Sequence, residues 1–114
     1  MSVMASERAV VTVRRETCCS SYHQAVELVG KRWTGAILFV LMEGPTRFSE
    51  FKQLVPDLSD RLLSERMKEL EAEGIVERRV IDDTPVRVEY ALTEKGEALQ
   101  PAVLALKRWA RSWL

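Results

Sequence analysis

The side chains most suited to chemistry in this sequence are two adjacent thiols, Cys18 and Cys19. Neighbouring cysteines form only a strained disulfide, so no structural bridge is expected between them, and a reducing compartment fits. Cys19 directly precedes a predicted helix, whose backbone N–H groups favour the thiolate, the form that reacts with oxidants and electrophiles. Arg14 and Arg15 are near in sequence. The pattern indicates a redox-sensing thiol at Cys19 or Cys18, and the alternative is a cysteine that packs as a small apolar residue.

Metal binding and enzymatic catalysis are poorly supported. Cys18, Cys19 and His23 could share a metal ion, but a structural zinc site usually takes four protein ligands, so neither a metal nor another cofactor is expected. The chain has one histidine. No glycine-rich phosphate loop, Ser-His-Asp set or carboxylate pair stands out. The sequence therefore argues against an enzyme.

A second set of candidate residues lies on a predicted helix over residues 59–70. On a helical wheel, three apolar side chains form a narrow stripe: Leu63, Met67 and Leu70. Arg61, Glu65 and Lys68 fall on the opposite side, with Ser64 on its flank. A helix that enters the major groove of DNA needs this layout, because its early residues reach base edges. The stretch predicts a recognition helix, and a plain surface helix is the alternative.

The flanking residues predict a helix on one side and a hairpin on the other. Residues 46–56 read as a short helix with Ser49 as its N-cap, stopped by Pro56. Ser59 and Gly74 are placed to cap the recognition helix at its start and end. The alternating, β-branched runs that follow predict a hairpin, with strands over 75–81 and 86–92. Helix, turn, helix and hairpin is the order of a winged helix-turn-helix, a mainly α fold with a small β-hairpin.

The first half of the chain supplies the remaining core helices. Ser20 or Ser21 is expected to cap a helix that runs to about Gly30. Trp33 opens a second helix, which ends before Gly44 and is apolar nearly all round, so it should be the buried centre of the domain.

The last element is predicted to mediate dimerisation. It begins at Thr93, another plausible N-cap, and a bend or break is expected at Pro101. Its apolar stripe has a coiled-coil-like spacing and consists of Leu99, Val103, Leu106, Ala110 and Trp113. Burial against a second copy would give a twofold dimer. The alternative is a helix that covers the core of its own chain.

Length and composition predict one domain over residues 18–114, preceded by an extension over 1–17 in which 9–13 could form a short edge strand. No apolar run approaches the roughly 20 residues that span a bilayer, and the start lacks the apolar core of a signal peptide, so a cytoplasmic location without membrane contact is expected.

The whole chain has 17 basic and 17 acidic residues. Residues 44–92 carry eight Lys or Arg against eleven Asp or Glu. This acidic balance is the best support for an alternative function, a protein-interaction module that binds no DNA, unless the basic residues share one face.

The residues assembled above resemble the HxlR family of bacterial winged-helix regulators, relatives of the MarR group. The resemblance extends from Cys19 to Trp113. Its marks are Cys19 fourteen residues before Trp33, then GKRW at 30–33, GPTRFSE at 44–50, Leu58-Ser59, Leu62-Leu63, Leu70-Glu71, GIVER at 74–78, PVRVEY at 85–90 and LTEKG at 92–96. Each mark alone is unremarkable, and their order is specific.

The resemblance implies a homodimeric transcription factor, usually a repressor, bound to a palindromic operator in double-stranded DNA. The chain looks closest to the branch that senses quinones, aldehydes and disulfide stress through the cysteine matched by Cys19. Ser20 stands where a proline usually follows that cysteine, and Cys18 is an addition to the usual pattern. The second, C-terminal cysteine of some members has no counterpart here. The same fold controlled by a small molecule or metal is the alternative.

These considerations select candidate DNA contacts on three elements. They are Arg47, Ser49, Ser59, Arg61, Ser64, Glu65, Lys68, Arg79 and Arg87.

Overall fold

The computed structural model describes residues 19–114. The expectations for the extension, for the strand over 9–13 and for Cys18 lie outside this range. The described residues form six helices and three strands. In chain order these are α1 (Ser20–Val29), α2 (Thr34–Leu41), β1 (Thr46–Arg47), α3 (Phe48–Leu54), α4 (Asp60–Ala72), β2 (Val76–Ile81), β3 (Arg87–Leu92), α5 (Glu94–Glu97) and α6 (Gln100–Trp113).

The core lies between α2, α3, α4 and the sheet. Its buried side chains are Ile37, Leu38, Leu41, Phe51, Leu58, Leu63, Met67, Leu70, Ile75, Val76 and Leu92. The three stripe residues predicted for α4 are all among them, so the periodicity identified the buried face correctly. The second predicted helix is central as expected, but it is not buried all round, since Phe39 remains exposed.

The sheet is antiparallel with strand order β1-β3-β2. The predicted hairpin is confirmed as β2 and β3, whose register pairs Val76 with Leu92 and Ile81 with Arg87. Strand β1 was not predicted, because a two-residue segment has no readable period. It pairs Thr46 with Tyr90 of β3, on the side of β3 away from β2.

The short strand corrects the predicted start of α3. Because Arg47 is still extended, the N-cap position falls on Arg47, and Ser49 lies in the first helical turn. The Glu50 carboxylate accepts a hydrogen bond from the Arg47 N–H at 2.7 Å. Ser49 is therefore not the cap that the sequence predicted.

Both ends of α4 are closed by local hydrogen bonds. The Ser59 hydroxyl oxygen accepts from the Leu62 N–H at 3.1 Å, which confirms the predicted N-cap. At the other end, Gly74 adopts φ +75°, a left-handed conformation that favours glycine. The N–H groups of Gly74 and Ile75 donate to the carbonyls of Glu71 and Leu70, which is the Schellman arrangement.

The first helix differs from its prediction at the start. The N-cap position is Cys19, and Ser20 is already helical, so neither Ser20 nor Ser21 is the cap. None of the residues of α1 is buried. After α1 the chain turns through Trp33, which has a left-handed φ of +75° and immediately precedes α2.

The C-terminal segment is interrupted, as the sequence predicted, but the break lies before Pro101 and divides the segment into two helices. The Thr93 hydroxyl caps α5 by accepting from the Gly96 N–H at 3.1 Å, as predicted. The helix breaks after α5, and Pro101 lies in the first turn of α6, where its missing N–H removes no helical hydrogen bond. On α6, Leu106, Trp109 and Trp113 are 68%, 54% and 73% exposed. No helix among residues 19–114 has the length and apolarity needed to span a bilayer.

Ser59 and Ser49, both predicted as N-caps, provide a matched test of the caps. We expect Ser59→Ala to lower the free energy of unfolding by about 1 kcal/mol, because the Leu62 N–H loses its acceptor. Ser49→Ala should change it by less than about 0.5 kcal/mol, since Ser49 is not the cap. Urea unfolding of the DNA-free protein measures both values. Equal losses would contradict the assignment.

Candidate nucleic-acid interface

The outer face of α4 carries the predicted base-reading residues. Arg61 and Lys68 are exposed on the side away from the core, and the Arg61 side chain is 89% exposed. Glu65 lies between them, with its carboxylate 3.4 Å from the Arg61 Nε. Ser64 is half-buried on the flank of this face, and Ser59 is exposed at the helix start. The layout is that of a helix with one face in the core and one available to a groove.

Strand pairing brings three of the predicted arginines to one face of the sheet. Side chains alternate along a strand, and directly paired residues share a face. Glu89 of β3 pairs with Arg47 on one side and with Arg79 on the other. Arg87, two residues before Glu89, points to the same face. The wing, formed by the β2–β3 hairpin, and the adjoining strand β1 thus present a row of arginines with two carboxylates among them, because Glu77 lies two residues before Arg79 on the same strand. Ser49 is exposed at the start of α3, next to Arg47.

Each predicted arginine has a carboxylate within 4 Å. The pairs are Arg47–Glu50 at 3.9 Å, Arg61–Glu65 at 3.4 Å, Arg79–Glu77 at 2.7 Å and Arg87–Asp83 at 3.6 Å. Exposed pairs of this kind contribute about 0–1 kcal/mol, so exchanging a carboxylate for a phosphate costs little. The acidic balance of residues 44–92 is therefore compatible with a basic face. Arg87 is the least suited of the four, because its Nε is buried without a hydrogen-bond partner.

Two charged residues of α4 that the sequence did not single out, Arg66 and Glu69, point away from the outer face. Arg66 donates from Nε to the Arg32 carbonyl at 3.0 Å and from Nη1 to Glu69 Oε2 at 3.3 Å. Lys31 Nζ donates to the same Glu69 oxygen at 3.1 Å. The helical wheel contained a signal for Arg66, which falls about 60° from Leu63, at the margin of the buried stripe.

The Cys19 thiol is exposed at the N-terminus of α1. The backbone N–H of Tyr22, and after it that of Ser21, donates to the sulfur and holds the pKa of the thiol below its ordinary value. The sequence predicted both the position of Cys19 before the helix and the lowered pKa of its thiol.

On the next turn, His23 Nε2 lies 3.9 Å from a carboxylate oxygen of Glu27. Within residues 19–114, no three His, Cys, Asp or Glu side chains come close enough together to hold a metal ion.

A wide apolar groove runs between α1, α2 and α6. Its volume is about 880 Å³, and its lining includes Val26, Phe39, Leu106 and Trp109. Several of these side chains are large and exposed. Monomeric proteins seldom leave so contiguous an apolar surface open to water.

Comparison with known proteins identifies the fold and the family. The family model described as HxlR-like helix-turn-helix matches residues 28–114. The HTH-type transcriptional regulator YvaP of Bacillus subtilis is 50% identical over 96 residues, which cover 84% of this chain and 89% of YvaP. YodB, an HTH-type transcriptional regulator of the same organism, is 50% identical over 94 residues, which cover 82% of this chain and 84% of YodB.

Two solved structures show the same architecture. The reduced form of the transcriptional regulator YodB from B. subtilis superposes with a TM-score of 0.77 at 48% identity, over 84% of this chain and 94% of YodB. The redox regulator HypR in its reduced form has a TM-score of 0.77 at 39% identity, over 82% of this chain and 92% of HypR. The resemblance inferred from the sequence is confirmed. This chain belongs to the HxlR-like helix-turn-helix family and is a winged-helix transcriptional regulator.

Proposed function

We propose that this regulator is a repressor that binds a palindromic operator as a homodimer and is released when Cys19 is modified. One observation supports the sensing most directly: Cys19 is exposed at a helix N-terminus, where backbone N–H groups lower the pKa of its thiol. The thiolate is the form that oxidants and electrophiles attack. Similarity to YodB, solved in reduced, diamide-treated and quinone-bound forms, adds support. The proposed location is the cytoplasm, where thiols stay reduced.

The exposed face of α4 supports a place for this helix in the major groove. Arg61 and Lys68 would contact guanine edges or phosphates, because both are exposed and neither is needed by the core. Ser64 and Glu65 could make base contacts, with Glu65 accepting from cytosine N4. On DNA binding, the Arg61–Glu65 ion pair would break, and each side chain would contact a group of the duplex instead.

The wing and the start of α3 would contact the DNA backbone. Arg47 and Ser49 lie next to each other at the N-terminus of α3, where an anion is favoured. Arg79 and Arg87 share a face of the sheet with Arg47, which supports wing contacts to phosphates or the minor groove. Ser59 is already used as the cap of α4, so its contribution would be to fix the start of the reading helix.

A second copy of the chain is the proposed occupant of the apolar groove. The exposed stripe of α6 and the open groove beside it supply the two complementary surfaces that a twofold interface needs. Twofold symmetry would place the two α4 helices on two half-sites. The operator would accordingly be palindromic, with half-sites about one helical turn apart.

The proposed chemistry at Cys19 removes the thiolate. With a quinone, an S–C bond forms, and the ring takes up the electron pair and a proton to become a substituted hydroquinone. With diamide, two thiolates lose two electrons to form a disulfide, and the N=N bond is reduced to a hydrazine with two protons. The second thiol would be Cys19 or Cys18 of the other copy, or a small thiol, because the chain has no cysteine after Cys19. Either product removes the negative charge at the start of α1.

The first test is binding to the DNA upstream of the regulator's own coding sequence, against excess random duplex, before and after diamide. We expect specific binding to be lost on oxidation and restored by a reductant. Cys19→Ser should bind the same DNA and ignore diamide. A footprint over two half-sites would support the dimer.

Other outcomes of this experiment separate the alternatives. Specific binding that ignores diamide would move sensing to a ligand or metal. An oxidant response retained by Cys19→Ser and lost in Cys18→Ser would assign the sensor to Cys18. Absence of specific binding in both redox states, on this and other operators, would favour the protein-interaction module.

Replacing Arg61 tests the reading helix. Arg61→Ala should weaken binding to the operator by about 1–3 kcal/mol and leave binding to random duplex almost unchanged, if Arg61 reads a base. Arg111→Ala, which removes the same charge from the last turn of α6, is the control and should change neither affinity. An equal loss on both DNAs would instead make Arg61 a phosphate contact, with a reduced dependence of affinity on salt.

The pH dependence of alkylation tests the thiolate. In a Cys18→Ser background, the rate of N-ethylmaleimide addition should follow the thiolate fraction and reach half its maximum below the pH typical of an ordinary thiol. The folded-state pKa of Cys19 is depressed, so the difference between the folded protein and the protein in urea should be greatest below the ordinary thiol pKa and vanish above it. Identical profiles in both states would show that the helix terminus does not activate the thiol.

A further inference from the structure

We propose that Lys31, Arg66 and Glu69 form a clamp that couples the sensor helix α1 to the recognition helix α4, and that Arg66 and Glu69 act as positioning residues for DNA binding. This inference rests on the proposed function, because it names the route by which a change at Cys19 would reach the DNA-reading face. The clamp residues would transmit this change, and they would neither contact DNA nor react with an oxidant or electrophile.

The clamp is built around a single carboxylate oxygen. Glu69 Oε2 accepts from Lys31 Nζ at 3.1 Å and from Arg66 Nη1 at 3.3 Å. Arg66 also donates from Nε to the backbone carbonyl of Arg32 at 3.0 Å. The α1–α2 turn is therefore tied to α4 through one side chain and one backbone carbonyl. Charge-assisted bonds of this kind are stronger than neutral ones.

Burial separates Arg66 from the arginines assigned to DNA. Its side chain is 14% exposed, whereas that of Arg61, on the same helix, is 89% exposed. A guanidinium so enclosed cannot turn to a phosphate without abandoning the Arg32 carbonyl and Glu69. The Arg66 guanidinium therefore holds α4 in position against the α1–α2 turn.

The turn that the clamp holds has an unusual backbone conformation and several local contacts. Trp33 has a left-handed φ of +75°, which few side chains adopt, and the Arg32 guanidinium lies over the Trp33 ring at 5.5 Å. The Thr34 N–H donates to the Lys31 carbonyl at 3.1 Å. These contacts would pass a displacement at one end of the turn to its other end.

The sensor helix has few other attachments to α4. None of its residues is buried, and backbone contact between α1 and α4 is slight within residues 19–114. A cleft of about 830 Å³ separates α1 from the end of α4, with Lys31 among its lining residues and Glu73 on the opposite wall. The ten-residue helix α1, which begins directly after Cys19 and leads into this turn, can act as a lever. The clamp residues form the contact between the end of this lever and α4.

Hydrogen exchange of the whole chain tests the coupling without DNA. In a Cys18→Ser background, alkylation of Cys19 with N-ethylmaleimide should raise amide exchange in both α1 and α4. In Glu69→Gln the change in α1 should remain, and most of the change in α4 should disappear. Glu71→Gln, an identical substitution two residues along the same helix at an exposed position, should behave like the parent.

A second variant guards against a folding defect. Lys31→Met cuts the clamp from its other end, at a side chain that is 47% exposed, so the fold should tolerate the change. It should reduce the change in α4 as Glu69→Gln does, although Arg66 still donates to the Arg32 carbonyl in both variants. Alkylation that leaves α4 exchange unchanged in the parent, or reaches α4 fully in both clamp variants, would overturn the proposal.

Operator binding supplies the functional readout. The affinity ratio between unmodified and alkylated parent should be of the order of tenfold, as is common for coupled sites, and should fall to about one in Glu69→Gln and Lys31→Met. A purely structural role would weaken both forms equally and leave the ratio intact, which would contradict a coupling role. If no form binds DNA specifically, the proposed function fails, and the exchange experiment still decides whether the clamp couples the helices.

Discussion

Burial of the apolar stripe of α4 is the constraint on which the rest of the structure depends. Leu63, Met67 and Leu70 are at most 1% exposed, and removing one such side chain typically costs about 2–5 kcal/mol, a large part of a small domain's stability. The stripe fixes the rotation of the helix about its axis. Because that rotation is fixed, Arg61 and Lys68 face outward together. Burial of the stripe therefore determines which side chains of α4 are available for the proposed DNA contacts.

A chain with equal numbers of acidic and basic residues can present a DNA-binding face if its charges are paired locally. Each arginine proposed for DNA has a carboxylate neighbour, and each such pair is weak in water. The pairs reduce the long-range attraction to any polyanion, which is the sequence-independent part of DNA affinity. In the proposed complex, specific contacts would then form a larger share of the binding energy, and the neutral charge would favour specificity over affinity.

The sequence predicted the features that are determined locally. The α4 stripe, the Ser59 and Thr93 caps and the β-hairpin each depend on residues within a few positions of one another. One miss was local, since the N-cap of α1 is Cys19 and neither Ser20 nor Ser21, and the others depend on distant pairing. Strand β1 exists because Thr46 pairs with Tyr90, and the role of Arg66 depends on a carbonyl 34 residues earlier. The displaced cap of α3 follows from the same strand, because the chain must leave the sheet before the helix can begin. The DNA contacts themselves remain predictions.

Reactivity and conformational change in this regulator would have one physical origin. The N–H groups that lower the pKa of Cys19 belong to the first turn of α1, and they favour the thiolate. Alkylation or oxidation would remove the negative charge, so the event that consumes the thiolate would also remove a favourable interaction at the start of α1. Within one chain no residue of α1 is buried, and only its end, at Leu28 and Val29, packs against the core, so the start of the helix has few contacts that would compensate for that loss. In the proposed switch, the interaction that activates the thiol would therefore also stabilise the start of α1, and modification would remove both effects.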